Sequence, residues 1–421
     1  MRIIINDFSG HPFQVELSRE LAARGHAVLH LFSQDFQTPR GDLARNADDP
    51  PTLETIGISI GKPFQKYDFL KRRGQEIAYG KLICQKIVGF EPDIFIGCNN
   101  PLDAQWYIQS FCRNRAIPFI FWLQDIYAIA IGSILRQRLS LLGVLIGTWY
   151  QEIEKRLLRH SNHVVAISDD FLPQLDTWQV KRPQVSVIEN WAPKSKIKIL
   201  PRDNEWSRKH DLSDKKVILY TGTIGLKHNP DLLLDIANAF RKDPTVRVVV
   251  VSEGKYAEYV KQKALAQGLE NVAVLPFQPF EHYSEVLATG DVLLAMIEAG
   301  AAAYSVPSKV LSYLCAAKPV VLSSQPANLA ARTIQYCGAG IVVNPCDHAG
   351  CIDAISGLLG DAAQRKMTGT QGRKYADEHF NISTITNKFE AIFNTIIDGK
   401  DTWTTLNGTF AENVERGSAC K

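Results

Sequence analysis

Residues 216–230 read KVILYTGTIGLKHNP. The apolar run enters a turn containing Gly222 and Gly225, and Asn229 and Pro230 then open a helical segment. A run that is apolar at successive positions reads as a strand buried on both faces, as in a parallel sheet. Similar runs recur downstream at 246–254, 272–279, 292–298, 319–324 and 340–345. They recur upstream at 2–7, 27–32, 93–99, 118–125, 163–168 and 185–190. Helix-period segments lie between them. After the first run, Pro12 starts a helix, Leu17 and Leu21 share one face, and Gly25 ends it. Two alternating series of strand and helix predict an α/β chain of two doubly wound, Rossmann-like domains facing a central cleft.

Between the series, 192–216 is charged, carries Pro193 and Pro201 and lacks periodicity, so it reads as an interdomain linker. The expected division is therefore 1–195 and 196–380. A helix at 381–398 follows, with Ile385, Phe389 and Ile392 on one face, and a polar tail at 399–421.

Bulk properties exclude several classes. The 421 residues are 45% hydrophobic and 22% charged, enough apolar content to bury large cores without metals or disulfides. A net charge of +3 gives no global field for nucleic acid. Eight cysteines form no C-x-x-C pair, and Cys84, Cys98, Cys112 and Cys315 sit in apolar segments as small core residues. That usage suits a reducing cytosol and predicts no metal site. MRIIINDFSG reads as an opening strand and not a signal peptide, because Asp7 cuts its apolar stretch short. No stretch reaches the roughly 20 apolar residues of a membrane span.

Parallel sheets bind ligands beyond the carboxyl ends of their strands. At the exit in 221–231, Gly222 and Gly225 allow close backbone approach, and Thr223 and Lys227 share the turn. Exposed amides and an ammonium suit a diphosphate, although a solvated lysine in an ordinary turn has the same pattern. In SVPSKVLSYLCAAKPV (305–320), Pro307 and Ser308 open a helix with Lys309 in its first turn. The helix dipole disfavours a cation there unless an anion lies in front; otherwise Lys309 is a surface lysine and Ser308 a cap. At SEG (252–254), Gly254 either lets a ligand approach or makes a turn.

These segments resemble the family 4 glycosyltransferases. The likeness extends through LAARGHAV (21–28), NNPLDAQ (99–105), FWLQDIY (121–127), VVAIS (164–168) and VIENWA (187–192). It continues through YTGTIGLKHNPDLLL (220–234), LPFQPF (275–280) and VPSKVLSYLCAAKPVV (306–321). It is similar to the bacterial branch that builds capsule, O-antigen and exopolysaccharide units on a polyprenyl carrier. Within that branch the chain looks most like enzymes that add N-acetyl-L-fucosamine or a related amino sugar from a UDP-activated donor.

The resemblance implies a GT-B fold, retaining transfer, and a last helix that crosses back to the first domain. It places Lys227 on the donor phosphates, and Ser308 and Lys309 at the phosphate-binding helix. Glu253 and Gly254 fall near the nucleoside, and Phe277 and Gln278 beside the base. Many members carry Glu-x7-Glu for sugar and ribose; this chain has Tyr304 and Ser312 there, and Ala317 in place of a glycine. Glu298 is a candidate substitute. No Asp-x-Asp occurs, so lysines and helix dipoles are expected to replace a metal, with no cofactor.

On the acceptor side, Asp125 ends a strand where related enzymes often have His-Asp; it either handles the acceptor hydroxyl or caps the next helix. In DFSGHPF (7–13), Gly10 and His11 stand where the family often has Gly-Gly, and His11 either touches substrate or steadies the loop.

Two segments suit an anionic membrane surface. KPFQKYDFLKRRGQE (62–76) mixes Lys62, Lys66, Lys71, Arg72 and Arg73 with Phe64, Tyr67 and Phe69. Residues 131–160 add a Leu/Ile-rich run with Arg136, Arg138 and Trp149. Cations among aromatics fit a lipid headgroup layer, and equally a solvated basic helix beside a buried one. The expected partners are a nucleotide sugar, a lipid-linked saccharide acceptor and the inner face of the cell membrane, with no nucleic acid. A sugar-nucleotide epimerase of the same fold and a non-catalytic partner subunit are the competing readings.

Overall fold

The structure, a computed structural model, describes residues 1–65, 68–225 and 227–415. Side chains are described for all of these except 133–134, 136–140 and 400–415. The first sheet contains β1 (Arg2–Asp7), β2 (Ala27–Ser33), β3 (Leu53–Ile58), β4 (Ile94–Cys98), β5 (Phe119–Leu123), β6 (His163–Ala166) and β7 (Val185–Val187). Its order is β3-β2-β1-β4-β5-β6-β7. The second contains β8 (Lys216–Thr221), β9 (Val246–Val251), β10 (Val272–Leu275), β11 (Val292–Met296), β12 (Val320–Ser323) and β13 (Gly340–Val343). Its order is β10-β9-β8-β11-β12-β13. Every strand pairing is parallel.

Both sheets are doubly wound, so each has a switch point where strand order reverses. These lie between β1 and β4 and between β8 and β11, and both open into the same cleft. The runs predicted as strands are buried: Ile3, Ile4 and Ile5 of β1 and Val248, Val249 and Val250 of β9 are fully enclosed. Strand β3, LETIGI, was not anticipated. It is an edge strand, half exposed, and its mixed composition lacks the apolar run.

The linker is anchored by buried side chains, Ile197, Trp206 and Leu212 among them. Asn204 and Ser207 form a capping box for the short helix Glu205–Lys209, which buries Trp206. The last helix, Ile382–Glu415, packs on the first domain. Phe389 meets the ring of Trp122 at 4.8 Å, and Glu390 bonds Arg24 at 2.6 Å. It runs on to Glu415, through residues expected as a polar tail; 416–421 lie outside the described residues.

The helical stretch Tyr127–Arg159 doubles back on itself. In a straight helix residues 128 and 154 would stand roughly 40 Å apart. Instead Glu154 accepts the amides of Tyr127 at 3.1 Å and Ala128 at 2.7 Å. A Cβ on Gly147 would lie 2.9 Å from Gly132 Cα, so glycines let the two arms touch. Glu154 is fully buried, and desolvation pushes its carboxyl up to about 8 despite those two amides. The hairpin leaves Leu141 80% and Leu145 68% exposed at its outer end.

Candidate active site

The cleft between the sheets encloses a cavity of about 330 Å³. Its walls come from the loops after β1, β4 and β5 on one side and after β8 and β11 on the other. Strand β8 ends at Thr221, and Gly222 follows with φ +119, a conformation that glycine adopts without strain. A Cβ at Gly222 would meet Lys309 Cε at 3.1 Å, so the glycine also makes room for that lysine.

Lys309 is partly buried behind the turn. Its ammonium sits 3.8 Å from the centre of the Tyr220 ring and hydrogen-bonds the Tyr220 hydroxyl. Burial, with the neighbouring charge of Lys227, pushes its pKa well below the usual lysine value. The aromatic face opposes part of that shift. Ser308 precedes this helix but makes no side-chain cap bond, and it lines the cavity with Lys309.

Lys227 crosses the cleft. Its Nζ bonds Asp125 Oδ2 at 3.2 Å and Oδ1 at 3.4 Å, and also reaches Ser305 Oγ. One residue on, the Ile126 amide donates to the carbonyl of Tyr304 at 3.1 Å, so the domains are also joined by backbone. Asp125 does not cap the following helix; Glu154 does.

Nothing in the sequence marks His228, since a lone histidine carries little signal. It is partly buried and lines the cavity. Desolvation and the charges of Lys309 and Lys227 hold its pKa well below the usual value. Its Nδ1 accepts from the Gly225 amide at 2.9 Å, which leaves the proton of the neutral ring on Nε2. Asn190 and Asn99 were also missed. Asn190 and Gln124 exchange paired amide bonds of 2.6 and 3.2 Å. Asn99 takes φ 52, a left-handed conformation asparagine tolerates, and its amide reaches His11 Nδ1 at 3.1 Å.

The loop after β1 is organised by Asp7, a buried carboxylate that accepts the amides of Ser9 at 3.1 Å and of His11. Gly10, at φ +73, shapes that loop without lining the cavity, whereas His11 lines it.

The structure thus brings His11, Asp125, Gly222, Thr223, Lys227 and Lys309 onto one cavity, with Phe277, Gln278, Ser308 and Ser312. The Gln278 side-chain carbonyl accepts from Trp206 Nε1 at 2.9 Å. Besides Gly10, four expected residues lie elsewhere. Glu253 and Gly254 border a second cavity, and Glu253 accepts the Phe277 amide at 3.0 Å. Glu298 meets Lys227 through its backbone amide at 2.9 Å, and Tyr304 contributes the carbonyl named above; neither lines the central cavity. Among the described residues, no cluster of three or more His, Cys, Asp or Glu is arranged to hold a metal. Among them, too, no helix is long and apolar enough to cross a membrane.

The basic aromatic segment, read as a surface for anionic lipid, turns part of its side chains inward and leaves others exposed. Phe64 stacks inward on Phe8 at 5.4 Å and Phe36 at 5.5 Å. Arg72 pairs with buried Glu76 at 2.6 Å. Arg73 pairs with Asp103 at 3.1 Å and lies 4.9 Å over the Trp149 ring. Lys71 stays exposed and pairs with Asp68 at 3.2 Å. Lys66 and Tyr67, and the side chains of Arg136 and Arg138, lie outside the described residues.

Comparison with known proteins agrees with this architecture. The family described as Glycosyltransferase Family 4 matches residues 13–194, and Glycosyl transferases group 1 matches 215–361. A relative in Escherichia coli K12, WcaI, named for glycosyl transfer in colanic acid biosynthesis, is 25% identical over 240 residues. That match covers 56% of this chain and spans only 58% of the relative's length. Among solved structures, sucrose-phosphate synthase of Thermosynechococcus elongatus superposes with TM-score 0.69 at 15% identity, covering 95% of this chain and all of that one. HepE of Anabaena, with UDP and glucose bound, gives 0.68 at 16%, covering 94% of this chain and 100% of that one. WaaG, a glycosyltransferase involved in lipopolysaccharide biosynthesis, gives 0.65 at 17%, covering 94% and 99%. At these identities the likeness is one of fold, and the fold is GT-B.

Proposed function

Because this chain belongs to the family 4 glycosyltransferases, we propose that it moves a sugar from a UDP-sugar to a polyprenyl-diphosphate-linked saccharide during surface polysaccharide synthesis. The observation that carries this reading is the placement of Lys227 and Lys309 on one wall of a cleft whose opposite wall presents Asp125. Two cations beside a glycine turn suit a diphosphate leaving group; a carboxylate across the gap suits a hydroxyl nucleophile.

In the proposed mechanism the bond between the anomeric carbon and the donor diphosphate loosens. Lys227 and Lys309 take up the charge developing on the phosphate oxygen, each worth on the order of 1.5–3 kcal/mol as a charged hydrogen bond. The Nε2–H of neutral His228 adds a further donor. The acceptor oxygen bonds to the anomeric carbon on the face the diphosphate leaves, giving retention, and its proton passes to the departing phosphate or to Asp125. In this reading the lysines take the role of a metal bridging the diphosphate, so the reaction is proposed to be metal-independent. The amino sugar, of the N-acetyl-L-fucosamine type, follows from the sequence resemblance.

The two-walled site favours transfer over epimerisation, since an epimerase has no use for a second substrate across the cleft. Exposed Leu70, Leu141, Leu142 and Leu145, with Trp149, support a peripheral seat on the inner membrane surface. Calorimetric titration with UDP tests the donor half of the proposal: wild type should bind, and Lys227→Ala should bind clearly more weakly.

A further inference from the structure

Beside the reaction cleft lies a second cavity of about 580 Å³. The two share Ser9, Phe36, Asn99, Tyr127 and Thr223, so a ligand can run from one into the other. On its outer side the second cavity is bounded by Phe69 and by Ile131, Leu135 and Tyr150 of the helical hairpin, whose exposed end carries Leu141 and Leu145. It therefore lies between the reaction centre and the apolar corner of the molecule.

Its lining has two characters. Aromatic rings form part of the wall: Phe8, Phe36 and Phe64 pack against one another at 5.0–5.5 Å, and Phe69 meets Tyr150 at 6.0 Å. Charged groups stand among them, and their signs balance. Arg72 is matched by Glu76 and Arg73 by Asp103, Lys255 and Glu253 both line the wall, and Asp35 bonds Ser59 Oγ at 2.8 Å and the Ile60 amide. A diphosphate needs surplus positive charge, which this wall does not offer. Flat rings interleaved with neutralised donors and acceptors fit an uncharged polyol.

We propose that this second cavity is the subsite for the acceptor's saccharide, holding a sugar ring at least one unit removed from the hydroxyl that is glycosylated. This rests on the reading of the chain as a transferase acting on a lipid-linked saccharide. It deepens that reading by saying which part of the acceptor the protein grips. The lipid stays at the hairpin's exposed end, the saccharide stem occupies the second cavity, and the growing end reaches Asp125 past Asn99 and Tyr127.

Saturation-transfer NMR tests the proposal, with the protein held in saturating UDP so that the donor site is filled. The probes are methyl glycosides and disaccharides of N-acetylhexosamines, with farnesyl diphosphate as an anionic isoprenoid lacking sugar. Two variants act from opposite directions: Leu135→Trp fills the cavity and Phe64→Ala removes a ring. Saccharide signals are expected in wild type, with affinity falling by roughly tenfold in each variant. UDP affinity should stay unchanged and melting temperatures close to wild type. The proposal is overturned if folded, UDP-binding variants keep wild-type saccharide signals, if wild type gives none, or if farnesyl diphosphate alone binds in a Leu135-dependent way. Failure of wild type to bind UDP would instead strike the transferase reading itself.

Discussion

Lys227 of the second domain and Asp125 of the first meet across the cleft, Nζ to Oδ2, at 3.2 Å. Both side chains are partly exposed, so this pair contributes little to stability. Its meaning is chemical. In the proposed mechanism, a donor diphosphate arriving at Lys227 competes with Asp125 for the ammonium, and the displaced carboxylate is then free to meet the acceptor hydroxyl. Donor binding thereby prepares the acceptor side.

Lys309→Met should lower turnover by roughly 10²–10³, the usual cost of losing one preorganised charge stabiliser. Methionine fills much of the same buried space, so the melting temperature should change little. Steady-state rates beside a thermal melt check this, and near-normal turnover would remove Lys309 from the mechanism.

Donor binding should take up a proton. In the empty site, burial and Lys227 push Lys309 down, so it loses its proton more readily than an ordinary lysine. An incoming diphosphate pushes its pKa back up. Affinity should therefore weaken as pH rises from the lowered value to the restored one. His228 is pushed down as well, while Tyr220 is pushed up and keeps its proton. Calorimetry of UDP in buffers of different ionisation enthalpy reads the proton directly, and Lys309→Met should abolish both the uptake and the pH slope.

Activity should survive chelation, because the lysines occupy the role of a bridging cation. Assays with and without EDTA check this. Loss of turnover restored by magnesium or manganese would contradict it.

Most of this framework is legible in the sequence because parallel strands buried on both faces write unbroken apolar runs, as 216–221 does. What fails to show has physical causes. Strand β3 is half exposed at a sheet edge, so its residues carry no run. The hairpin in 127–159 is invisible because helical periodicity continues through the bend; only Gly132 and Gly147, which let the arms touch, hint at it. Lys227 and Lys309 stand out by their place in glycine and Pro-Ser motifs. His228 does not, since its value comes from burial between those lysines. Arg72 and Arg73 look like unpaired surface cations until the fold shows their partners, buried Glu76 one turn along the same helix and Asp103 on another helix.

Membrane attachment should follow the hairpin more than the arginines. Leu141→Ser with Leu145→Ser should reduce sedimentation with anionic vesicles while UDP affinity stays intact. Lys71→Ser should weaken it modestly, since one cation near anionic lipid is worth about 1 kcal/mol. Indifference of wild type to anionic vesicles would overturn the assignment of this corner.

The central claim is that the cleft passes a sugar from UDP to an acceptor. UDP release by the purified protein, measured across a panel of UDP-sugars with and without lipid-linked saccharide in vesicles, tests it most directly. The account predicts release that depends on the acceptor, a product that keeps the donor's anomeric configuration, and steep loss in Lys227→Ala. Conversion of a UDP-sugar without any acceptor, or UDP binding with no turnover of any donor, would contradict it.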